Sequence, residues 1–251
     1  MTKSKLNKET KERLRHEINK VVEEFKEKYK IKKSPIQDSY ALIEQLGFLI
    51  IGKHLDSNIS GFTLNIGDYP CIFINRNHHF ARQNQSLWHE VYHWYSGNQG
   101  HISNLSEIDY SEMEFKAENF ASKILINREL LREKVTQIGK NFQTISPIDI
   151  VNLSNYFNVS YMNLMMALNE ESKGEIKGYL FNLGKLENHQ KLMEFIGTHK
   201  LSKENYVVPE KGYITSGYLE DLIDNLKQNK ISEGYFNDIF NFINKELKIF
   251  D

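Results

Sequence analysis

The chain holds a single cysteine, Cys71, among 251 residues. No intrachain disulfide can form and no cysteine-rich metal cluster, so any bound metal must be held by His and carboxylate side chains. A charge excess of either sign is missing too: 32 Lys and Arg stand against 33 Asp and Glu, a formal net charge of −1. That balance excludes a generally basic coat for nucleic acid. No apolar run approaches the ~18–20 residues of a membrane span, and the opening MTKSKLNKETKERLRHE lacks the apolar stretch of a secretory signal. A cytoplasmic protein without membrane contact is expected. Internal repeats and low-complexity linkers are also absent. What is present, 40% apolar residues, suffices to bury roughly 70–75% of the extended-chain surface in one core or in a main domain with a smaller companion.

Residues 1–33 carry twelve Lys/Arg and six Glu, with Leu14, Ile18, Val21, Val22 and Phe25 at near-helical spacing. They read as a charged amphipathic helix that docks by one stripe. A basic arm for nucleic acid is the competing reading, and the interleaved glutamates argue against it. Ser34-Pro35 should end the helix, because the residue before proline is pushed out of the helical region. A second helix is expected over Asp38 to Leu46. Three short strands, Phe48–Ile51, Ile59–Leu64 and Cys71–Ile74, follow between turn residues and suggest a small, largely antiparallel sheet. Helices are expected at Gln83–Tyr95 and about Glu112–Leu131, then from Ser146-Pro147 and from near Ser160. Beyond Gly174 the pattern gives a strand at Ile176–Leu180 and helices near Leu186–Gly197, Gly217–Lys227 and Gly234–Leu247.

Chemistry is concentrated in Leu87-Trp88-His89-Glu90-Val91-Tyr92-His93-Trp94-Tyr95. On a helix, residues four apart lie only about 40° from each other around the axis, so His89 and His93 can present two imidazoles to one ion. Glu90 sits about 100° from His89 on the same side, placed to act on a water at that ion without being a ligand. Leu87, Val91 and Trp94 gather on the opposite side, flanked by Trp88 and Tyr95. Amphipathicity therefore leaves the His/Glu face for a cleft. His16-Glu17 begins the same pattern, but Lys20 stands where the second His would be.

A catalytic tetrahedral site needs a third protein ligand and one open position. In Ser111–Ala121, residues Glu114, Glu118 and Ala121 share a stripe with Ala117 beside it, and small alanines would allow close approach to the His helix. Glu114 is a candidate ligand and Glu118, one turn on, a candidate acceptor for a ligand histidine's other ring N–H. Glu112 and Glu118 are the substitutes for Glu114. The competing readings are a capping box between Ser111 and Glu114 and a solvated carboxylate at Glu118.

His89–His93 followed by Glu114-x-x-Ala117-x-x-Phe120-Ala121-x-x-Ile124-Leu125-Ile126 resembles the ImmA/IrrE family of metallopeptidases, whose second motif is typically E-x-x-A-N-x-F-A-x-x-L-L-M-P. Ile59-Ser60-Gly61, Ile72-Phe73-Ile74-Asn75 and Arg82-Gln83 fit the same family, and the resemblance covers about residues 35–170. It implies an α+β, zincin-like domain with His89, His93 and Glu114 as ligands of Zn2+, or of Mn2+ on the same donors, and Glu90 as the catalytic carboxylate. Glu118 stands where the family usually has Asn or Asp, Asn127 replaces Pro, and Val91-Tyr92 replaces Leu-Gly. Glu90 would take a water proton and return it to the leaving amine, while an extended substrate pairs with a sheet edge. Candidates for the oxyanion donor are Tyr92, Tyr95 and His101, with Tyr110, His78 and His79 also near in sequence.

The organisation expected is an N-terminal helix (1–33), a zincin-like core (34–143), a helical helix-turn-helix-like segment (144–172) and a small α+β accessory domain (173–251). Between Thr144 and Ser172 there is no Lys or Arg, so direct nucleic-acid binding by that segment is not expected and protein docking or core packing is. Residues 173–251 carry eleven Lys, twelve acidic residues and many aromatics, a composition that specifies no ligand. The function expected is an intracellular zinc endopeptidase of restricted specificity, and the resemblance implies a helix-turn-helix-type transcriptional repressor as protein substrate, cut to derepress a mobile element or stress response. The competing class is a metal-containing binding protein, an antitoxin or co-regulator, that sequesters a partner without cleaving it.

Overall fold

A computed structural model describes residues 6–32, 34–97, 102–104 and 112–248. The expected first helix is α1 (Lys8–Lys28), opened by Asn7, whose side chain accepts from the amide of Thr10. It buries Leu14, Ile18, Val22 and Phe25. Helix α2 (Ser39–Gln45) leads into β1 (Leu49–Lys53), β2 (Ile59–Ile66) and β3 (Tyr69–Asn75). Then come α3 (Phe80–Tyr95), β4 (Ile102–Asn104), α4 (Glu112–Leu125) and α5 (Arg128–Gln137). Helices α6 (Pro147–Tyr156) and α7 (Tyr161–Glu171) follow, then α8 (Leu180–Gly184), α9 (His189–Thr198), β5 (Tyr213–Ile214), α10 (Ser216–Lys227) and α11 (Glu233–Leu247).

One five-stranded sheet runs β4-β2-β3-β1-β5. Its pairs are antiparallel except β1 with β3, which are parallel. The exception follows from chain order: β3 returns from a β2 hairpin to lie between β2 and β1. At the hairpin tip Gly67 takes φ 61°, a left-handed conformation that a side chain would strain. Ile50, Ile72 and Ile74 point to the covered face and are fully buried. Helix α3 packs under β2 and β3, with α4 against its other flank and α1 along α4. Phe25 of α1 meets Phe120 and Tyr95 edge-on at 5.1 Å each. The Trp88 indole N–H donates to the Ser39 hydroxyl at 3.1 Å, tying α3 to α2.

Several expectations change. The helix expected to run to Leu131 breaks after Leu125, because the Asn127 side chain accepts from the amide of Leu130 and starts α5. No strand forms at Ile176–Leu180; of that run Ile176 and Leu180 are buried, and Leu180 opens α8. The segment 176–206 shares the main core, while Ile214, Ile243 and Leu247 form a second, smaller cluster. Tyr213-Ile214 pair with β1 as its outer neighbour, and Ile176, Leu180, Leu192, Ile196 and Tyr206 join the same apolar cluster as the sheet and α3. At the carboxyl end of α7, Glu170 accepts from Lys123 at 2.9 Å and Arg128 at 3.0 Å, locking that helix to α4 and α5. Among the described residues no helix is long and apolar enough to cross a membrane.

Candidate metal centre

The strand beside α3 is set by one buried asparagine. Asn75 donates to the carbonyls of Asp56 and Ile59 at 2.9 and 2.7 Å, and accepts from the amides of Leu55 and Asn77 at 3.0 and 2.9 Å. Its side chain is thereby satisfied, and the loop entering β2 is fixed. Gly61 then lets β2 lie close: a Cβ there would sit 2.8 Å from the Phe73 carbonyl oxygen and 3.5 Å from Cγ of Glu90. Two residues on, Thr63 turns to the same face, as strand alternation requires.

His89, His93 and Glu114 each bring one donor atom within 4.8 Å of the other two. The two Nε2 atoms are 3.0 Å apart, and the Glu114 carboxylate oxygens lie 3.2 Å from Nε2 of His89 and of His93. The three side chains are 12%, 2% and 18% exposed, so the group is nearly closed but reachable. Donor separations of this size suit side chains that converge on one small divalent cation. The donor set fits a divalent cation such as zinc with one further position open.

The electrostatics agree. Burial disfavours a charged His89, yet the hydrogen bond it donates to Glu114 and the charges of Glu90, Glu114 and Glu118 outweigh it, and its pKa lies above the ordinary imidazole value. Burial likewise opposes ionisation of Glu114, but the two imidazoles beside it hold its carboxyl well below the usual range. A buried site that raises a base and strengthens an acid at once is one that draws positive charge.

Glu90 is fully buried. The Thr63 hydroxyl lies 3.0 Å from its Oε2 and 3.2 Å from its backbone oxygen. The face expected to open on a cleft is therefore covered on one side by β2 and on another by α4. Amphipathicity locates a polar face but not what will cover it. Thr63 was not among the sequence candidates, although alternation from Gly61 along β2 carries the signal.

Other candidates lie elsewhere. Tyr92 is 5% exposed, its ring packs on Phe120 at 5.2 Å, and burial with the nearby Glu17 charge pushes its phenol up to about 12. Tyr95 lies in the aromatic group of Phe25 and Tyr29. The Tyr92 ring also meets that of His93 edge-on at 6.4 Å, while Tyr95 turns to α1. His78 and His79 sit at the start of α3, about three turns before His89, and both pKa values are depressed to about 4, by burial first. Glu118 is exposed, and its carboxylate acts on His89 through its charge. His101, Tyr110 and Ser111 lie outside the described residues.

Two histidines one turn apart, an acid between them and a carboxylate from a second helix define, in this α+β frame, a metallopeptidase-like architecture. No curated protein matches the sequence at a significant level. The family model of Peptidase_M78, the IrrE N-terminal-like domain, matches residues 43–169, just over half of the chain. The chain belongs to that family, which groups it with the ImmA/IrrE peptidases. Its members are metallopeptidases, and the His89, His93 and Glu114 group is where this chain can hold a metal.

Proposed function

We propose that the protein is a metal-dependent endopeptidase in which His89, His93 and Glu114 hold one divalent cation and Glu90 carries the proton. The convergence of three donor atoms from α3 and α4 within 4.8 Å supports this most directly. Zinc suits the two imidazoles and single carboxylate, and manganese is the alternative on the same donors. When bound, such a cation supplies Lewis acidity toward a scissile carbonyl and toward the attacking water. Glu90 accepts the proton of that water at its carboxylate and hands it to the amine nitrogen that leaves. Glu118 acts as the acidic neighbour that keeps the His89 ring in place. β4, at the outer end of the sheet order, offers backbone groups to an extended substrate.

Family membership supports a protein substrate, and we read it as a helix-turn-helix repressor cut inside the cytoplasm, with neither nucleic acid nor membrane in direct contact. The absence of Lys and Arg between Thr144 and Ser172 supports the first exclusion. The test pairs metal analysis of the wild type, His89→Ala and Glu114→Ala with cleavage of a co-expressed repressor by wild type and Glu90→Gln. Loss of metal in both ligand variants and loss of cleavage in Glu90→Gln are expected. Metal retained by both would end the ligand assignment. A repressor captured in stoichiometric complex with its amino terminus intact would transfer the protein to the sequestering class.

A further inference from the structure

The Thr63 hydroxyl donates to the buried Glu90 carboxylate at 3.0 Å, a contact outside the proposed ligand set. We propose that Thr63 is a positioning residue for the proton-carrying carboxylate: its hydroxyl engages Oε2 of Glu90 and so fixes the plane in which Oε1 meets the reacting water. The inference rests on the endopeptidase reading above and adds a residue to it.

Three observations carry it. First, Thr63 and Glu90 are both buried, at 1% and 0% exposure, so bulk water does not compete for either group. Second, the one hydroxyl proton has two acceptors in reach, Oε2 at 3.0 Å and the Glu90 backbone oxygen at 3.2 Å. A carboxylate is about twice as strong an acceptor as a neutral carbonyl, so Oε2 takes it. Third, the placement is built into the strand: a Cβ at Gly61 would meet the Phe73 carbonyl oxygen at 2.8 Å, so glycine at that position lets β2 pair with β3 where it does and sets Thr63, two residues on, over Glu90. The rotation of a carboxylate about its last torsion is soft and broadly two-fold. Removing the Thr63 hydroxyl removes one constraint on that plane, so Glu90 would more often turn its oxygens away from the water. Misplacement on this scale lowers rate without weakening substrate binding.

Thr63→Val removes the hydroxyl and keeps the branched shape, and Thr63→Ser keeps the hydroxyl and removes the methyl. With the full chain, Zn2+ affinity is read by competition with a chromophoric chelator. Affinity of the zinc-loaded protein for acetohydroxamate is read next, since that probe chelates the ion and shares its hydroxyl proton with the neighbouring carboxylate. Thr63→Val should bind Zn2+ as the wild type does, bind acetohydroxamate about tenfold to a hundredfold more weakly, and, on a cleaved repressor, lose kcat with KM unchanged. Thr63→Ser should restore most of the loss. Wild-type acetohydroxamate affinity in Thr63→Val, beside weakened affinity in Glu90→Gln, would overturn the proposal and leave the enzyme reading intact. So would loss of Zn2+ affinity in Thr63→Val, or failure of Thr63→Ser to rescue, since either marks Thr63 as packing. A wild type that binds neither Zn2+ nor acetohydroxamate would instead end the metallopeptidase reading itself.

Discussion

Helix α3 and helix α11 are of similar length, 16 and 15 residues, and are built on opposite terms. α3 buries polar groups: Gln83, Asn84, Ser86, Glu90 and His93 are all within it and all covered. α11 buries only Ile243 and Leu247, while Tyr235 and Phe242 stand 56% and 66% exposed. Burying a polar or ionisable side chain costs free energy unless it is partnered, whereas leaving an aromatic in water forfeits a gain. The stability of the first helix depends in part on what fills its site, and that of the second rests on the few apolar side chains it buries.

The largest expected effect follows from filling the site. If the native chain holds a cation and the unfolded chain does not, metal at a thousandfold excess over its Kd adds about 4 kcal/mol of stability. Thermal unfolding with zinc and with chelator should show that gap in the wild type. His93→Ala, which removes a 1% exposed member of the proposed ligand set, should abolish it. A gap unchanged in His93→Ala would place the stabilising metal elsewhere. Next comes the apolar side of the same helix. Leu87 is fully buried, and Leu87→Ala should lower stability by about 3 kcal/mol in apo and metal-loaded protein alike. Denaturant midpoints measured both ways would separate packing from ligation.

Those two sides of α3 differ in how far the sequence reveals them. The His spacing and the apolar stripe are local, so period 3.6 alone places His89, Glu90, His93, Leu87 and Val91 correctly around the axis. Glu114 is legible through its family pattern and small-residue stripe. The parallel pairing of β1 with β3 is not, since it depends on where β3 returns after the hairpin. Still less legible is β5, which reaches β1 from more than 150 residues along the chain, with two residues and no alternation to announce it. The break before α5 hides behind continuous apolar periodicity, and only the Asn127 cap betrays it. Thr63 is half legible: alternation from Gly61 gives its face, but not that Glu90 of α3 lies opposite it.

Protonation gives a smaller effect of defined sign. In the fold His78 and His79 are held to about 4, by burial first, with Arg82 facing both and His189 facing His79. The unfolded chain titrates them near 6.5. Between those values the unfolded state binds protons that the native state refuses, so stability falls as pH drops from about 6.5 to about 4 and is flat in this respect above. His89 acts in the opposite sense, its contribution being lost as pH rises above about 6.5, so the two windows do not overlap. Chemical denaturation in chelator at pH 6.5 and pH 5, both below the His89 window, should show the lower stability at pH 5, by about 1–3 kcal/mol. His79→Gln should reduce the difference. An equal fall in the variant would assign the acid sensitivity to other groups.

The smallest expected effect tests the other helix. Phe242 is as large as the core phenylalanines, and a buried Phe→Ala change costs about 3–5 kcal/mol. At 66% exposure it has most of its surface in water already, so Phe242→Ala should alter stability by no more than about 0.5 kcal/mol. Ile243→Ala, one residue on but 5% exposed among Ile214, Leu247 and Leu49, should cost about 2 kcal/mol or more. Urea midpoints of the two variants therefore form a paired measurement on adjacent residues. If Phe242→Ala proves as costly as Ile243→Ala, α11 is held by contacts on both faces and its contrast with α3 disappears. If Ile243→Ala is also silent, α11 and β1 are packed too loosely for their contact to support the sheet edge, and β5 must be held by its two registered pairs with β1 and by the Thr215 hydroxyl accepting from the Ile50 amide at 2.7 Å.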